Sequence, residues 1–533
     1  MAENKAARVL ARLFNALFFF VFTLLFLEIV FRRYGEETGK NLFWADYKQH
    51  LGIVLVALII TALALLVYRF VVARPPRRSR RLRAHETQTT GELGKKALVI
   101  IFVATGIILV LQVLAAYYLW NVPVTDSRAM HVYSTSIATE GNFDIVRRSM
   151  ESGDYYLIEY PNQTAMLLIN SLVYRIWYLM TGNITRMPMV GINVLSINAA
   201  ILMTALLARK VYGDKKALMT LGLCALFVPY FTYTAYVYTD TFSIPYVVGV
   251  VWMFLSVMTM EKPVPRTILM VVCGMLAFIG FKIKGNLIVL VVALLGYALL
   301  KLRFKRFLVL ALAFVMGFAC LNVVYKVALK TTNIMQQDHA DRYEFPATHW
   351  IMMGLHGHGG FDMDDYRFTQ GFTSKKEKQE ANIEVIKEDL KEMGVDGLLE
   401  FLTTKEIWTW GDGTYYVSNH IGQPIKKNVL HEYLLPDGDH YYRQYAYSCG
   451  FQYFLILMMA LSALKGFIKG KIDPTLLFRV AVFGVFLFLM MWETRSRYLF
   501  NFTPFFLLLA VDGADSGVRI IRKVKEMCKR NEG

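Results

Sequence analysis

Long apolar runs alternate with short polar gaps along almost the whole chain, and the runs read as crossings of a hydrocarbon core of roughly 30 Å. They fall near 10–31, 51–73, 97–119, 189–208, 216–233, 241–260, 267–281, 286–300, 307–328, 451–468, 476–492 and 497–513. The pattern predicts an all-α polytopic membrane protein with about twelve spanning helices. A further apolar stretch, 166–180, is broken by Asn170, Tyr174 and Arg175. It reads as an interfacial or re-entrant helix, because unpaired polar groups are costly in lipid. Two long polar stretches remain: 120–188, a first external loop with that helix embedded in it, and 329–450, a small external cap. The predicted organisation is a two-span extension (1–96), a transmembrane module containing the first external loop (97–328), the cap (329–450) and C-terminal spans with a basic tail (451–533).

Composition agrees with a membrane class, since 56% of the 533 residues are apolar and only 19% are charged. The formal net charge of +17 would fit nucleic acid, but Lys and Arg gather in the gaps between runs, so the charge reads as topology. The stretch from Arg74 to Arg83 is proline-broken and arginine-rich, and it assigns that loop to the cytoplasm. Lys301, Arg303, Lys305 and Arg306, then Lys465, Lys469 and Lys471, and finally Arg519, Arg522, Lys523 and Lys525 mark the same side. Both termini are therefore expected in the cytoplasm of a multi-pass cell-membrane protein, with 120–188 and 329–450 outside. The first run is longer than a signal-peptide core and has no small-residue cleavage site after it, so it reads as a retained span. The five cysteines show neither a disulfide framework nor zinc spacing.

Chemistry-bearing residues cluster at the outward ends of spans. Asp126 opens the first external loop in Trp120-Asn-Val-Pro-Val-Thr-Asp126, where a carboxylate is suited to accept a proton from an acceptor hydroxyl, or is a solvated loop residue. Asp240 stands in Tyr238-Thr-Asp-Thr241 on the same side. Lys282 and Lys284 sit at the outer boundary against the positive-inside trend, which suits a lipid-linked phosphate or a snorkelling side chain. In Trp492-Glu-Thr-Arg-Ser-Arg-Tyr498, Arg495 and Arg497 offer guanidinium forks for phosphate, unless Glu493 and Arg497 form a helical i,i+4 pair. The segment His349 to His358 and the acids Asp362, Asp364 and Asp365 match neither a zinc pair nor an EF-hand loop, so no metal is expected. Trp408 to Tyr416 is an aromatic stretch fit either to stack on a sugar or to pack on the membrane surface, and Asn162, Asn183 and Asn501 fit the glycosylation acceptor pattern.

Taken in order, these motifs resemble the GT-C superfamily of membrane glycosyltransferases, and more closely an uncharacterised group of Gram-positive bacterial members. The resemblance rests on Thr125-Asp126, Tyr160-Pro-Asn-Gln163, Tyr238 to Thr241, Ile283-Lys284, His349 to Leu355 and Glu493 to Tyr498, from about residue 97 onward. It implies an inverting, metal-independent transfer of a sugar from a polyprenyl-phosphate donor to a hydroxyl of an envelope glycan, lipid or protein, as in cell-wall biogenesis, with no cofactor. On that reading Asp126 is the general base and Lys284, Arg495 and Arg497 bind the donor phosphate. Asp240, Tyr160, Glu493 and His349, within or beside those motifs, are substrate-binding candidates. Gly285 departs from the proline that the family often carries after its lysine, which leaves open whether Lys282 or Lys284 is the phosphate ligand. Two other classes stay open: a transporter or flippase of a lipid-linked saccharide, which predicts midplane polar residues and repeat symmetry, and a non-enzymatic scaffold for envelope assembly.

Overall fold

The computed structural model describes residues 5–35, 40–43, 48–73, 86–332, 334 and 339–531. The arginine-rich stretch 74–83, read as a cytoplasmic anchor, lies outside the described residues. Helices α1 (Lys5–Phe31) and α2 (Lys48–Val67) flank a small antiparallel hairpin of β1 (Arg32–Gly35) and β2 (Lys40–Phe43). Four-residue strands are too short to show a period in the sequence, and apart from this hairpin the regular structure among the described residues is helical, as expected. Next come α3 (Glu86–Tyr118) and the helices of the first polar stretch, α4 (Thr125–Glu140), α5 (Asp144–Glu151), α6 (Tyr156–Glu159) and α7 (Thr164–Thr181). The central bundle follows as α8 (Met187–Tyr212), α9 (Asp214–Leu226), α10 (Pro229–Thr232), α11 (Thr239–Thr259), α12 (Pro263–Ile283), α13 (Leu287–Lys301) and α14 (Phe304–Thr332). The second polar stretch holds α15 (Ala340–Tyr343), α16 (Ala347–Met353), α17 (Met363–Gln370), α18 (Lys375–Gly411), α19 (Val417–Ile421) and α20 (His431–Leu434). The chain closes with α21 (Tyr441–Lys469), α22 (Pro474–Met491) and α23 (Thr503–Asn531).

Among the described residues, nine helices are long and apolar enough to cross a membrane: α1, α2 with its π-helical continuation to Val72, α3, α8, α11, α12, α14, α21 and α22. The other three apolar runs take different forms. Run 216–233 becomes a pair of helices bent by 61°, with Pro229 starting the second. Run 286–300 becomes the 15-residue α13, and run 497–513 divides into a 3-10 segment, Ser496–Phe502, and the start of α23. The interrupted stretch 166–180 does form a helix, α7, and it is not one of the nine. Several helix starts follow from residue type: proline stands in the first turn of α8, α12 and α22, where its missing N–H costs nothing, and Asp473 caps α22 by accepting from Thr475 N at 3.0 Å.

Helix α21 is a central post, packed by α1, α2 and α23, so the N-terminal pair belongs to the same bundle as the rest. Helix α12 crosses α14 where Gly274 meets Phe314 and Gly317 meets Val271; a Cβ at either glycine would lie 2.0 Å from a carbonyl oxygen. Such contacts let two backbones approach where lipid supplies no hydrophobic drive. The consequence for function is positional. Asp126 follows α3, Asp240 lies in the first turn of α11, Lys284 caps α12 and Glu493 follows α22, so these helix ends gather at one end of the bundle.

Candidate functional site

The gathering point is an ionic and aromatic centre. Asp126 lies in the first turn of α4, entered through Thr125 at a φ of 47°, a strained value for a β-branched residue. Its Oδ1 accepts from the Tyr156 hydroxyl at 3.0 Å, and its Oδ2 accepts from the Tyr238 hydroxyl at 2.9 Å and the Arg497 guanidinium at 3.4 Å. Gln163, on the 3-10 turn before α7, in turn donates to the Tyr238 hydroxyl. Arg497 then links the two acids, with its other terminal nitrogen 3.8 Å from Asp240 Oδ2. Asp240 is wholly buried, and its Oδ1 is paired with the Lys284 ammonium. A carboxylate so enclosed persists because two cations and the start of α11 stabilise its charge.

Aromatic rings wall this centre. The Arg497 guanidinium lies 5.2 Å from the ring centres of both Tyr238 and Tyr498, and the Lys284 ammonium is 4.9 Å from that of Tyr498. Such faces stabilise desolvated cations. Burial lowers the Lys284 pKa, and Asp240 opposes that shift. The Tyr498 hydroxyl donates to Glu493 at 2.7 Å. Burial raises the Glu493 carboxyl, a shift that this hydrogen bond and the nearby arginines oppose. The helical Glu493–Arg497 pair considered from the sequence is not formed, because Arg495 is extended and the following turn is 3-10.

Arg495 points elsewhere. Its guanidinium lies 4.4 Å from the Tyr416 ring and 5.8 Å from that of Trp408, and no carboxylate pairs with it among the described residues. The turn beneath it is unusual. Tyr415 and Tyr416 both have positive φ, 57° and 64°, a costly conformation for two successive aromatic residues. Asp412 holds the turn: its carboxylate accepts from Thr414 N and Tyr416 N, each at 2.8 Å, and from the Ser496 hydroxyl at 2.6 Å. Gly413 permits the close approach to α21, since a Cβ there would sit 2.0 Å from the Ser448 carbonyl oxygen. One carboxylate therefore ties the Trp408–Tyr416 stretch to the residue between the two arginines. Trp410 of the same stretch is not surface-stacked; it is buried against Phe22, Phe486 and Phe506.

The sequence candidates thus fall into groups. Asp126, Asp240, Lys284 and Arg497 form one connected network, Glu493 joins it through Tyr498, and Arg495 stands beside it. Tyr160 is one ring removed, 4.9 Å from Tyr156 and 5.7 Å from Trp350. His349 is farther off, on α16: wholly buried, bonded to the Thr369 hydroxyl at 2.8 Å, and held by burial at a pKa of about 3. Lys282 leaves the centre and packs over Phe278, Phe281 and Tyr325, whereas Lys284 enters it. Asn501, of the third acceptor tripeptide, is buried and bonded to Asn286, so it is closed to modification. Gln163, Tyr238 and Asp412 lay inside motifs singled out in the sequence but were not put forward as site residues, whereas Tyr156, and Tyr236, whose hydroxyl accepts from Arg497 at 3.4 Å, were missed altogether.

The fold and this centre define a multi-spanning membrane protein with a charged, aromatic-lined site at one end of its helices. A family model described as "Conserved hypothetical integral membrane protein" matches residues 6–517, and the chain belongs to that family. Among solved structures, the chain is similar to ArnT from Cupriavidus metallidurans bound to undecaprenyl phosphate. The identity is 13%, the match covers 81% of this chain and 78% of that one, and the TM-score is 0.33. No curated protein matches.

Proposed function

We propose that the protein is a GT-C-type glycosyltransferase that moves a sugar from a polyprenyl-phosphate donor to an acceptor hydroxyl on the outer face of the membrane. The observation that carries this reading is the placement of Asp126, with its side chain 30% exposed, against the otherwise buried cations of the Arg497–Asp240–Lys284 network. A carboxylate reachable by an acceptor thereby stands beside the positive charge that a departing phosphate needs.

In the proposed reaction the acceptor oxygen attacks the anomeric carbon and the bond from that carbon to the donor phosphate oxygen breaks. The acceptor proton passes to Asp126, and the electron pair of the broken bond leaves on the polyprenyl phosphate. Arg497 and Lys284 stabilise the charge that grows there, and Arg495, which forms no ion pair among the described residues, meets the incoming phosphodiester first. Donor entry then draws Arg497 from Asp126, freeing that carboxylate as base while Tyr156 and Tyr238 keep it oriented. The chemistry asks nothing of a metal or a cofactor. Sugar and acceptor are to be identified by mass spectrometry of lipid-linked sugars and envelope glycans in cells lacking the gene. Accumulation of an unused polyprenyl-phosphate sugar on the outer leaflet supports transfer; donor trapped on the inner leaflet would indicate a flippase instead.

A further inference from the structure

The end of the bundle opposite Asp126 carries a second feature that this reaction does not use. Helix α13 begins next to Asn286, near Lys284, and its 15 residues reach only about 22 Å, against a hydrocarbon core of about 30 Å. It stops at Lys301, and α14 begins at Phe304 after a two-residue connection. A cavity of 1190 Å³ lies at this shortened end, lined by Lys210, Lys301, Arg303, Arg306 and Lys471 with a single carboxylate, Asp473. Asp473 is engaged in capping α22, with Thr475 N and Oγ1 at 3.0 and 2.5 Å.

The cations are partly preset. Lys301 donates to the Ile472 carbonyl at 2.6 Å and Arg306 to the Met258 carbonyl at 2.9 Å, while the Arg306 Nε is buried without a hydrogen-bond partner. Lys210, Arg303 and Lys471 are exposed and, like Arg306, form no ion pair among the described residues. The rest of the wall is mostly apolar, with Leu255, Met258 and the Tyr297 ring. A free phosphate would leave most of this volume and all of the apolar wall unused. An amphiphile uses both, with its phosphate among the cations and the start of its chains against the wall.

We infer that this cavity binds the phosphate headgroup of an anionic phospholipid in the leaflet opposite the Asp126 site. The assignment stands apart from the proposed transfer reaction. It is tested on the purified full chain by native mass spectrometry and thermal unfolding with phosphatidylglycerol, phosphatidylcholine or inorganic phosphate. Phosphatidylglycerol should be retained, and should stabilise the fold, at about tenfold lower concentration than phosphatidylcholine. The double variant Arg303→Gln/Lys471→Gln should lose that preference. Lys523→Gln/Lys525→Gln, which removes the same charge from an exposed stretch of α23, should keep it. Equal retention of the two lipids by the unaltered chain, or equal losses in both double variants, would overturn the site. Stabilisation by inorganic phosphate matching that by phosphatidylglycerol would overturn its assignment to a lipid.

Discussion

Two buried ionic networks lie at opposite ends of the helices, and they are built differently. Near the Lys465 end, Asp512 and Asp515 of α23 face Arg479, Lys465 and Lys216, with Arg479–Asp512 at 3.6 Å and Lys216–Asp515 at 3.4 Å. Every member of this network projects from a regular helix, and it joins α9, α21, α22 and α23. The Asp126 network is buried to a similar degree but hangs on loops and helix ends, beside strained backbone at Thr125, Tyr415 and Tyr416. It also has one carboxylate that is 30% exposed and, in Arg495, one arginine that forms no ion pair among the described residues. Burial of charge alone therefore does not mark a site. The marks of one are strain, access and incomplete neutralisation, which a purely structural latch has no reason to keep.

Altering one charge in each network separates the two roles. Asp126→Asn should lower transfer by about 10²–10⁴-fold while leaving the thermal unfolding midpoint nearly unchanged, measured by donor turnover and unfolding of the same preparation. Arg479→Met should do the reverse. It leaves Asp512 buried without its guanidinium, at a cost of about 3–5 kcal/mol, while turnover per folded molecule is retained. An Arg479 variant that folds normally but loses turnover would erase the distinction between the networks.

Smaller effects sharpen it. Arg495→Gln should leave stability within about 0.5 kcal/mol, because no carboxylate is orphaned, and raise the donor KM about tenfold with little change in kcat. A fall in kcat alone would place Arg495 at the transition state rather than at entry. His349 tests the border of the site. Its folded pKa of about 3 lies below the ordinary 6.5, so protonation favours the unfolded chain. Its contribution to stability is complete above pH 6.5 and declines as pH falls toward 3. His349→Gln should flatten the pH dependence of unfolding in that window and leave the pH profile of turnover unaltered; a change in the turnover profile would bring His349 into substrate contact.

Much of the fold was legible because spanning helices announce themselves by length and apolarity, and proline and aspartate mark several of their starts. The bent α9–α10 pair and the short α13 were not, since an apolar run does not reveal where a helix breaks inside it. Asp126, Asp240, Lys284 and Arg497 were legible as candidates because the order of spans puts all four on one face; a charge at a span end is cheap, so no one of them stood out alone. Tyr156 was not legible, since in a chain with 30 tyrosines one more in a polar loop carries no signal. Asp412 was hidden for a different reason. Its task is to hold Ser496, 84 residues away in sequence, and only tertiary packing brings the two together.

On the proposed function, Asp126 serves chemistry and not architecture. The most direct test is single-turnover transfer from purified polyprenyl-phosphate sugars by reconstituted protein, comparing the unaltered chain with Asp126→Asn at saturating donor. Product should form with the unaltered chain, and at a rate at least a hundredfold lower with the variant, with donor still bound. Equal rates, or transfer by neither protein from any polyprenyl-phosphate sugar offered, would contradict that role.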